Sequence, residues 1–154
     1  DNHDTQKGQS LESWVDNWFK LHAYALILLR NKGLPTVFYG DLFGMKNGEK
    51  VEQLDTLLKV RKIMIEEESL DYFDESECIG WTFPNENKIA VIMSNGKKRL
   101  KQMYMGKDMA NKKMINVLNA NDHLIVDEHG IAMFVADEMS VSVYVKEDVY
   151  ENLL

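Results

Sequence analysis

The feature that most constrains the fold is a series of short β-forming runs in the second half of the chain. Each run is rich in Val, Ile, Met or aromatic residues, and turn-forming stretches containing Asn, Asp, Gly or Pro separate them. The predicted strands cover residues 78–83, 89–93, 101–105, 114–118, 123–126, 131–135 and 141–145. Short strands at this spacing predict an antiparallel sandwich or barrel. In the last run, valines alternate with Ser142 and Tyr144, so we expect only one face of that strand to be buried.

The first 67 residues show helical periodicity instead. Five large apolar side chains recur at helical spacing before the apolar run 23–29, and they are Leu11, Trp14, Val15, Trp18 and Phe19. This pattern predicts one long helix from residue 11, which Gly33 and Pro35 would end. The β-branched and aromatic run 35–39 then predicts a strand buried on both faces, of the kind found in parallel sheets. A second amphipathic helix is predicted over residues 51–65.

A single buried parallel strand is incomplete by itself. Its backbone groups need hydrogen-bonded neighbours on both edges, and its two faces need helices to cover them. The sequence supplies no such neighbours, so we expect residues 1–67 to be part of a larger sheet or barrel. Residues 68–154 are predicted to form an all-β domain, which makes the fold class of the chain α+β.

Composition excludes several classes of partner. The net charge is −7 and the sequence pI is about 5.1, which argues against binding to nucleic acid or to an anionic membrane. The apolar run 23–29 is much shorter than the about 18–20 residues that cross a bilayer. The single cysteine, Cys78, rules out an internal disulfide and is predicted to be an inert core residue. We therefore predict a soluble protein.

The candidate catalytic stretch is the polar sequence "DNHDTQ" at residues 1–6. Asp1 and Asp4 bracket His3, a pattern that suits a catalytic turn. The same residue types also form ordinary turns that cap a following helix, because Asp, Asn and Thr bond to nearby backbone amides. Spacing alone leaves both interpretations open.

The continuation of this stretch carries a resemblance to a known family. It reads "DNHDTQKGQSLESWVDNWFKLHAYALILLRNKGLPTVFYGDLFG" and resembles the end of the catalytic barrel in bacterial α-amylases. Downstream, "EQLDTLLKVRK", "VIMSNG", "QMYMGKDMANK" and "SVSVYV" resemble later parts of the same enzymes in the same order. The resemblance covers nearly the whole chain and is closest to the liquefying type, including its cytoplasmic members. It implies the last βα segment of a (β/α)₈ barrel over 1–67 and an antiparallel Greek-key sandwich over 68–154.

The resemblance also implies an activity, namely hydrolysis of internal α-1,4 bonds of starch and glycogen with retention. Asp4 would be the carboxylate that stabilises the transition state, while His3, Asn2 and Gln6 would bind the α-glucan substrate. Retaining hydrolysis further needs a nucleophile and a general acid about 5–5.5 Å apart. In the family both come from earlier barrel strands, so we expect the chain to be a C-terminal portion, cut after the seventh strand and inactive alone.

The resemblance sets the expected partners, cofactors and location as well. The partner would be the missing N-terminal barrel or another copy of the chain, and the location cytoplasmic, or extracellular if a signal peptide preceded the missing portion. The parent family can carry calcium at positions matching Ser76, Glu77 and Asn95. Because Glu77 and Asn95 stand where secreted members usually have Asp, we expect no cofactor in this chain.

Two alternative functions remain open at this stage. The β-domain could bind glucan by itself through Trp81 or Tyr104, although buried packing of these aromatic residues is favoured. It could also be purely structural. His123 and His129 flank two acidic residues, but their positions on a strand and a turn favour a solvated hairpin over a metal site.

Overall fold

The computed structural model describes residues 1–45 and 48–153. Four helices lie in these ranges, and they are α1 Asn17–Leu28, α2 Tyr39–Phe43, α3 Leu54–Ile63 and α4 Glu147–Leu153. Eight strands lie between α3 and α4, and they are β1 Leu70–Tyr72, β2 Cys78–Phe83, β3 Ile89–Ser94, β4 Arg99–Tyr104, β5 Lys113–Asn116, β6 His123–Ile125, β7 Ile131–Ala136 and β8 Val141–Lys146. None of the described helices has the length and apolar character needed to span a bilayer.

The strands form two antiparallel units. Six of them build one sheet in the order β1-β2-β3-β8-β5-β6, and β4 pairs with β7 to form a separate ribbon. β3 and β8 lie side by side although they are distant in sequence, with Ala90 opposite Tyr144 and Met93 opposite Val141. The predicted antiparallel β-structure is thus confirmed, and all seven predicted strands are present. β1 and α4 are additional elements that the sequence pattern did not indicate.

The central strands of the large sheet are buried on both faces. On one face, Val91 and Val143 belong to a core shared with α1 and α3. On the other face, Ile92 and Tyr144 belong to a second core shared with the β4–β7 ribbon. The prediction of a single buried face for residues 141–145 was therefore wrong, because this strand lies between two layers. Alternation of Val with Ser and Tyr does not distinguish an apolar face from a face that buries a hydrogen-bonded tyrosine.

The first core joins the helical part of the chain to the sheet. Leu28, Leu57 and Trp81 are at most 1% exposed and belong to one cluster. The indole Nε1–H of Trp81 donates to the carbonyl of Leu29 at the C-terminal end of α1, with an N–O distance of 2.7 Å. The domain boundary expected near residue 67 stays a prediction, and this core packs residues from both sides of it.

The long helix expected from residue 11 begins only at Asn17. The backbone amide of Val15 donates to Asp1 Oδ1 at 2.9 Å, and that of Ser13 donates to the carbonyl of Thr5 at 3.0 Å. These bonds tie residues 13–15 to the N-terminal turn and take up amides that a helix would use internally. The predicted start was wrong because helical spacing alone does not reveal such competing partners.

The strand predicted over residues 35–39 is also absent. No described strand pairs with this segment, and α2 begins at Tyr39. Leu34 and Tyr39 are 93% and 69% exposed. A parallel strand is stable only when neighbours take up its backbone groups, and the described residues provide none. The strand of the expected βα segment was therefore wrong. The helix predicted over 51–65 is confirmed as α3, which begins later, at Leu54.

Three salt bridges bear on stability in acid. They are Arg30–Asp71 at 2.8 Å, Lys101–Asp74 at 2.7 Å and Lys88–Asp108 at 2.6 Å. Hydrogen bonds from the lysines lower the pKa of Asp74 and Asp108. Burial alone would raise the pKa of Asp71, but its hydrogen bonds from Arg30 and Ser69 outweigh burial and lower the pKa.

These pKa shifts predict a loss of stability in acid. A carboxylate whose pKa is lower in the folded than in the unfolded state stabilises the fold above about pH 4, and this contribution disappears as the pH falls through the folded pKa. We expect the urea midpoint to fall between pH 5 and pH 2.5. In the triple variant Asp71→Asn, Asp74→Asn, Asp108→Asn, the urea midpoint at pH 5 should already be lower than that of the unsubstituted protein. Between pH 5 and pH 2.5 it should then fall less. An equally steep fall in the variant would contradict the assignment.

Candidate functional site

The N-terminal turn holds the predicted catalytic residues in a defined geometry. The side-chain oxygen of Asn2 accepts hydrogen bonds from the backbone amides of Asp4 at 2.9 Å and Thr5 at 3.1 Å. The side chains of His3 and Asp4 are 83% and 62% exposed, and their Nε2 and Oδ1 atoms are 3.3 Å apart. The structure thus brings His3 and Asp4 together at the tip of a braced turn, where both can reach a ligand. Their catalytic roles stay predictions.

Gln6 has a different orientation from the exposed pair. Its side-chain nitrogen donates to the carbonyl of His3 at 3.1 Å. Its side-chain oxygen is buried and has no hydrogen-bond partner within residues 1–45 and 48–153. Gln6 therefore braces the turn and also presents a free acceptor, and it lines the cleft beside the turn.

The cleft beside the turn has a volume of about 220 Å³. It lies between the turn, the start of α1 and α2, and its polar and aromatic lining includes Asp1, Gln6, Trp14, Asn17, Lys20 and Asp41. Trp14 is 38% exposed, and the Nζ atom of Lys20 is 5.2 Å from the centre of its ring. Asn2, His3 and Asp4 do not line the cleft, although Asp1 and Gln6, which flank them in the sequence, do.

A buried charge cluster forms the floor of this region. The ammonium of Lys20 is 2.8 Å from Asp1 Oδ2 and 2.5 Å from Asp41 Oδ1. The lysine side chain is 8% exposed and the two carboxylates are 4% exposed. The hydroxyl of Tyr24 donates to Asp41 Oδ2 at 2.6 Å. Burial, with the hydrogen bond to Asp41, raises the pKa of Tyr24, so its hydroxyl remains a donor.

Sequence reasoning missed Lys20, Tyr24 and Asp41. One signal was available, because Lys20 and Tyr24 are four residues apart on α1 and so share a helix face with buried residues. Asp41 has no such signal, since its place in the cluster depends on how the segment after α1 turns back. The chemical result is that Asp1 and Asp41 share one cation, whereas Asp4 is the carboxylate exposed at the turn.

At the positions that matched a calcium site, the acidic side chain already has a partner. The backbone amide of Asn95 donates to the carbonyl of Glu77 at 3.1 Å, so these loops are adjacent. The carboxylate of Glu77 is, however, paired with the guanidinium of Arg99, which competes directly with a hard cation for the same oxygens. Within the described ranges, no cluster of three or more His, Cys, Asp or Glu residues could hold a metal.

The remaining aromatic and sulfur candidates belong mainly to the interior. Trp81 is completely buried, so the alternative in which it stacks on a glucan was wrong. Tyr104 is half-buried, and its backbone amide donates to the hydroxyl of Tyr72 at 2.9 Å. Cys78 is buried in the second core, and burial raises the pKa of its thiol, which confirms a core residue.

The histidines of the β-domain lie where a hairpin is expected. His129 is 71% exposed and its Nε2 is 3.5 Å from Glu128 Oε1. Asp127 Oδ1 accepts hydrogen bonds from the backbone amides of His129 at 2.9 Å and Ile131 at 2.8 Å. These bonds close the turn before β7, and the carboxylate of Asp127 is used for that purpose.

Similarity to known proteins was found in sequence and in structure, although no protein-family model matches the chain. The chain is 37% identical to the alpha-amylase of Bacillus licheniformis over 158 residues, covering 95% of this chain and 31% of that protein. It is 38% identical to the cytoplasmic alpha-amylase of Escherichia coli K12 over 165 residues, covering 96% of this chain and 33% of that protein. The chain therefore spans about one third of the length of these relatives.

Solved structures show the same architecture. The alpha-amylase of Geobacillus thermoleovorans, complexed with acarbose, matches 94% of this chain and 37% of its own with a TM-score of 0.56 and 17% identity. The alpha-amylase of Malbranchea cinnamomea matches 82% of this chain and 32% of its own with a TM-score of 0.64 and 9% identity. At these identities the likeness shows the fold alone, and it covers both the helical part and the β-structure.

Proposed function

We propose that this chain, an α-amylase homologue that spans about one third of its relatives' length, is the C-terminal portion of such an enzyme. The complete protein would hydrolyse internal α-1,4-glucosidic bonds of starch or glycogen with retention. The observation that carries the proposal is the exposed His3–Asp4 pair, held on a braced turn beside a polar cleft. No cofactor is part of the proposal, and the substrate is an α-glucan.

Each residue of the turn has a distinct proposed role. The Asp4 carboxylate stabilises the positive charge that develops on the sugar in the oxocarbenium-like transition state. His3 binds the same sugar from the adjacent position. Asn2 acts through the backbone, since its side chain accepts from the amides of Asp4 and Thr5. Gln6 lines the cleft and binds a substrate hydroxyl there once its buried side-chain oxygen turns toward the sugar.

The rest of the enzyme supplies the groups that attack and protonate the substrate. The side chains of Asp1 and Asp41 are 4% exposed and share the ammonium of Lys20, so their charge is already compensated. A lone Asp4 can stabilise charge, but retaining hydrolysis needs a nucleophile and an acid flanking the bond. We infer that both come from the N-terminal barrel.

The docking face for that barrel is the exposed apolar surface of the helical part. Its most exposed apolar residues are Leu11, Leu34, Tyr39 and Phe43, which are 65%, 93%, 69% and 65% exposed. Among these, the rings of Tyr39 and Phe43 pack together with centroids 4.7 Å apart, and a contiguous exposed apolar patch marks an interaction site. A cytoplasmic location completes the proposal, and it agrees with the name of the Escherichia coli relative.

The test compares the isolated chain with a chimera, in which the chain replaces the segment that it matches in the Bacillus licheniformis α-amylase. We expect the isolated chain to release no reducing ends from soluble starch, because it lacks the nucleophile and the acid. The chimera should hydrolyse starch and yield products that retain the α-configuration. Clear hydrolysis by the isolated chain, or a folded chimera without activity, would contradict the proposal.

A further inference from the structure

We propose that Lys20 is a positioning residue for His3 and Asp4, acting through a relay of contacts from Asp41 to the N-terminal turn. The inference rests on the proposed function, because it assigns Lys20 a part in orienting the pair that binds substrate. Lys20 itself touches neither His3 nor Asp4. It acts on the base of the turn that carries them.

The first step of the relay fixes the base of the turn. Asp1 Oδ2 is 2.8 Å from the Lys20 ammonium, and Asp1 Oδ1 accepts the backbone amide of Val15 at 2.9 Å. Both oxygens of Asp1 are therefore bound to α1 or to the segment just before it. The next residue, Asn2, braces the backbone of Asp4, so the anchor is only one residue away from the group that sets the turn.

The second step holds the lysine in place. Asp41 Oδ1 is 2.5 Å from the Lys20 ammonium, and Asp41 Oδ2 accepts the hydroxyl of Tyr24 at 2.6 Å. The same hydroxyl accepts the backbone amide of Phe38 at 3.3 Å. Lys20 of α1 is thereby bound to Asp41 of α2, and the position of the turn becomes coupled to the packing of these two helices.

Electrostatics explain why the lysine is needed. The carboxylates of Asp1 and Asp41 are both 4% exposed and lie on either side of one ammonium. Without Lys20, two like charges would share a buried site and lose the ammonium that contacts both of them, which is strongly unfavourable. Asp1 can relieve this by moving into water, and it would carry the turn with it. A displacement of about 1 Å at a substrate-binding group can cost about 10²-fold in rate.

The chain offers a matched control for removal of a buried lysine. Lys101 is 5% exposed, and its ammonium is 2.7 Å from Asp74 and 3.0 Å from Glu75. It therefore also lies between two carboxylates, but on β4 of the β-domain. Both substitutions remove a buried ammonium, although the partners of Lys101 are 70% and 47% exposed and those of Lys20 are 4% exposed. Only Lys20→Met should change the geometry of the turn.

The experiment uses the chimera with the Bacillus licheniformis α-amylase, assayed where circular dichroism shows each variant to be folded. We expect Lys20→Met to lower kcat by about 10²-fold with KM within about threefold, and Lys20→Arg to restore most of kcat. Lys101→Met should keep kcat within about twofold. Equal kcat losses in Lys20→Met and Lys101→Met would overturn the proposal.

A double variant separates positioning from a merely structural role. If Lys20 acts through the turn, Lys20→Met should lower kcat by a clearly smaller factor in the Asp4→Asn background than in the parent chimera, because only its effect on His3 remains. A full, independent loss in the double variant would overturn the proposal. Should Lys20→Met not fold, Asp1→Asn tests the same link, because it leaves Lys20 paired with Asp41 and removes one buried charge.

Amide hydrogen exchange gives a readout that does not depend on activity. The amides of Asp4 and Thr5 donate to the side chain of Asn2. Their exchange rates should rise above those of the parent chimera in Lys20→Met and stay the same in Lys101→Met. If the chimera folds without activity, the proposed function fails while this measurement still decides the positioning role. Unchanged exchange at both amides in Lys20→Met would reject that role.

Discussion

Asp4→Asn is expected to lower kcat of the chimera by at least about 10²-fold, because the amide cannot compensate the positive charge of the transition state. The substitution is nearly isosteric at a side chain that is 62% exposed. Stability should therefore change little, and KM should change less than kcat. Steady-state kinetics on a defined maltooligosaccharide would measure both constants.

The matched control for this prediction is Asp16→Asn. Asp16 is also exposed, lies just before α1, and forms no side-chain cap hydrogen bond there. We expect its kcat within about twofold of the parent, so that loss of one surface charge is excluded as a cause. An Asp4→Asn chimera with parental kcat would remove the central residue of the proposed function.

Trp81→Ala is expected to have the largest effect on stability, with a loss of about 3–5 kcal/mol in the free energy of unfolding. Trp81 is completely buried and is one of the largest side chains in the core between α1 and the sheet. The substitution leaves a cavity, and it also removes the hydrogen bond from the indole to the carbonyl of Leu29. Urea unfolding followed by circular dichroism measures this loss.

Trp18→Ala is the corresponding control, because Trp18 is 44% exposed. Its loss should stay within about 1 kcal/mol, in keeping with a surface substitution. A second variant, Trp81→Phe, keeps an aromatic ring but loses part of the indole volume and the N–H donor. Its loss in the free energy of unfolding should fall between those of Trp18→Ala and Trp81→Ala. Equal losses for Trp18→Ala and Trp81→Ala would show that the core does not depend on Trp81 as described.

The β-structure was largely predictable from the sequence. The turn-forming stretches between apolar runs predicted both ends of β2 correctly, and they predicted the ends of the other six strands to within about two residues. β1 was missed because Leu70–Tyr72 is a three-residue edge strand whose first two residues are exposed, which leaves no alternation to detect. The second buried face of β8 was missed because Ser142 and Tyr144 are polar, although both are buried.

The helical part was predicted less well, and the reason is physical. Residues 35–39 have the composition of a buried parallel strand, yet strand formation depends on neighbouring strands, and within 1–45 and 48–153 no strand pairs with this segment. Trp14 and Val15 have helical spacing, yet the Val15 amide is bound by Asp1. Local pattern predicts what a segment can form, whereas its hydrogen-bonding partners decide what it does form.

The residues of the candidate site also differ in how far the sequence predicts them. His3 and Asp4 were predicted as site residues from the resemblance carried by one short motif, and the structure places their side chains 3.3 Å apart at an exposed turn. The Asp1–Lys20–Asp41 cluster could not, since its members are separated in sequence and a lysine on an otherwise buried helix face gives no sign of its two partners. Only the geometry shows that one ammonium serves both carboxylates.

The sequence by itself determined the order of β-forming runs and turns, the acidic surface, and the motif that carries the exposed pair, because each of these depends on residues close together in the chain. Tertiary structure decided where α1 starts, which faces of β8 are buried, and how Lys20 joins the N-terminal turn to α2. These features depend on residues distant in sequence, whose buried charges and backbone groups must find partners when the chain folds.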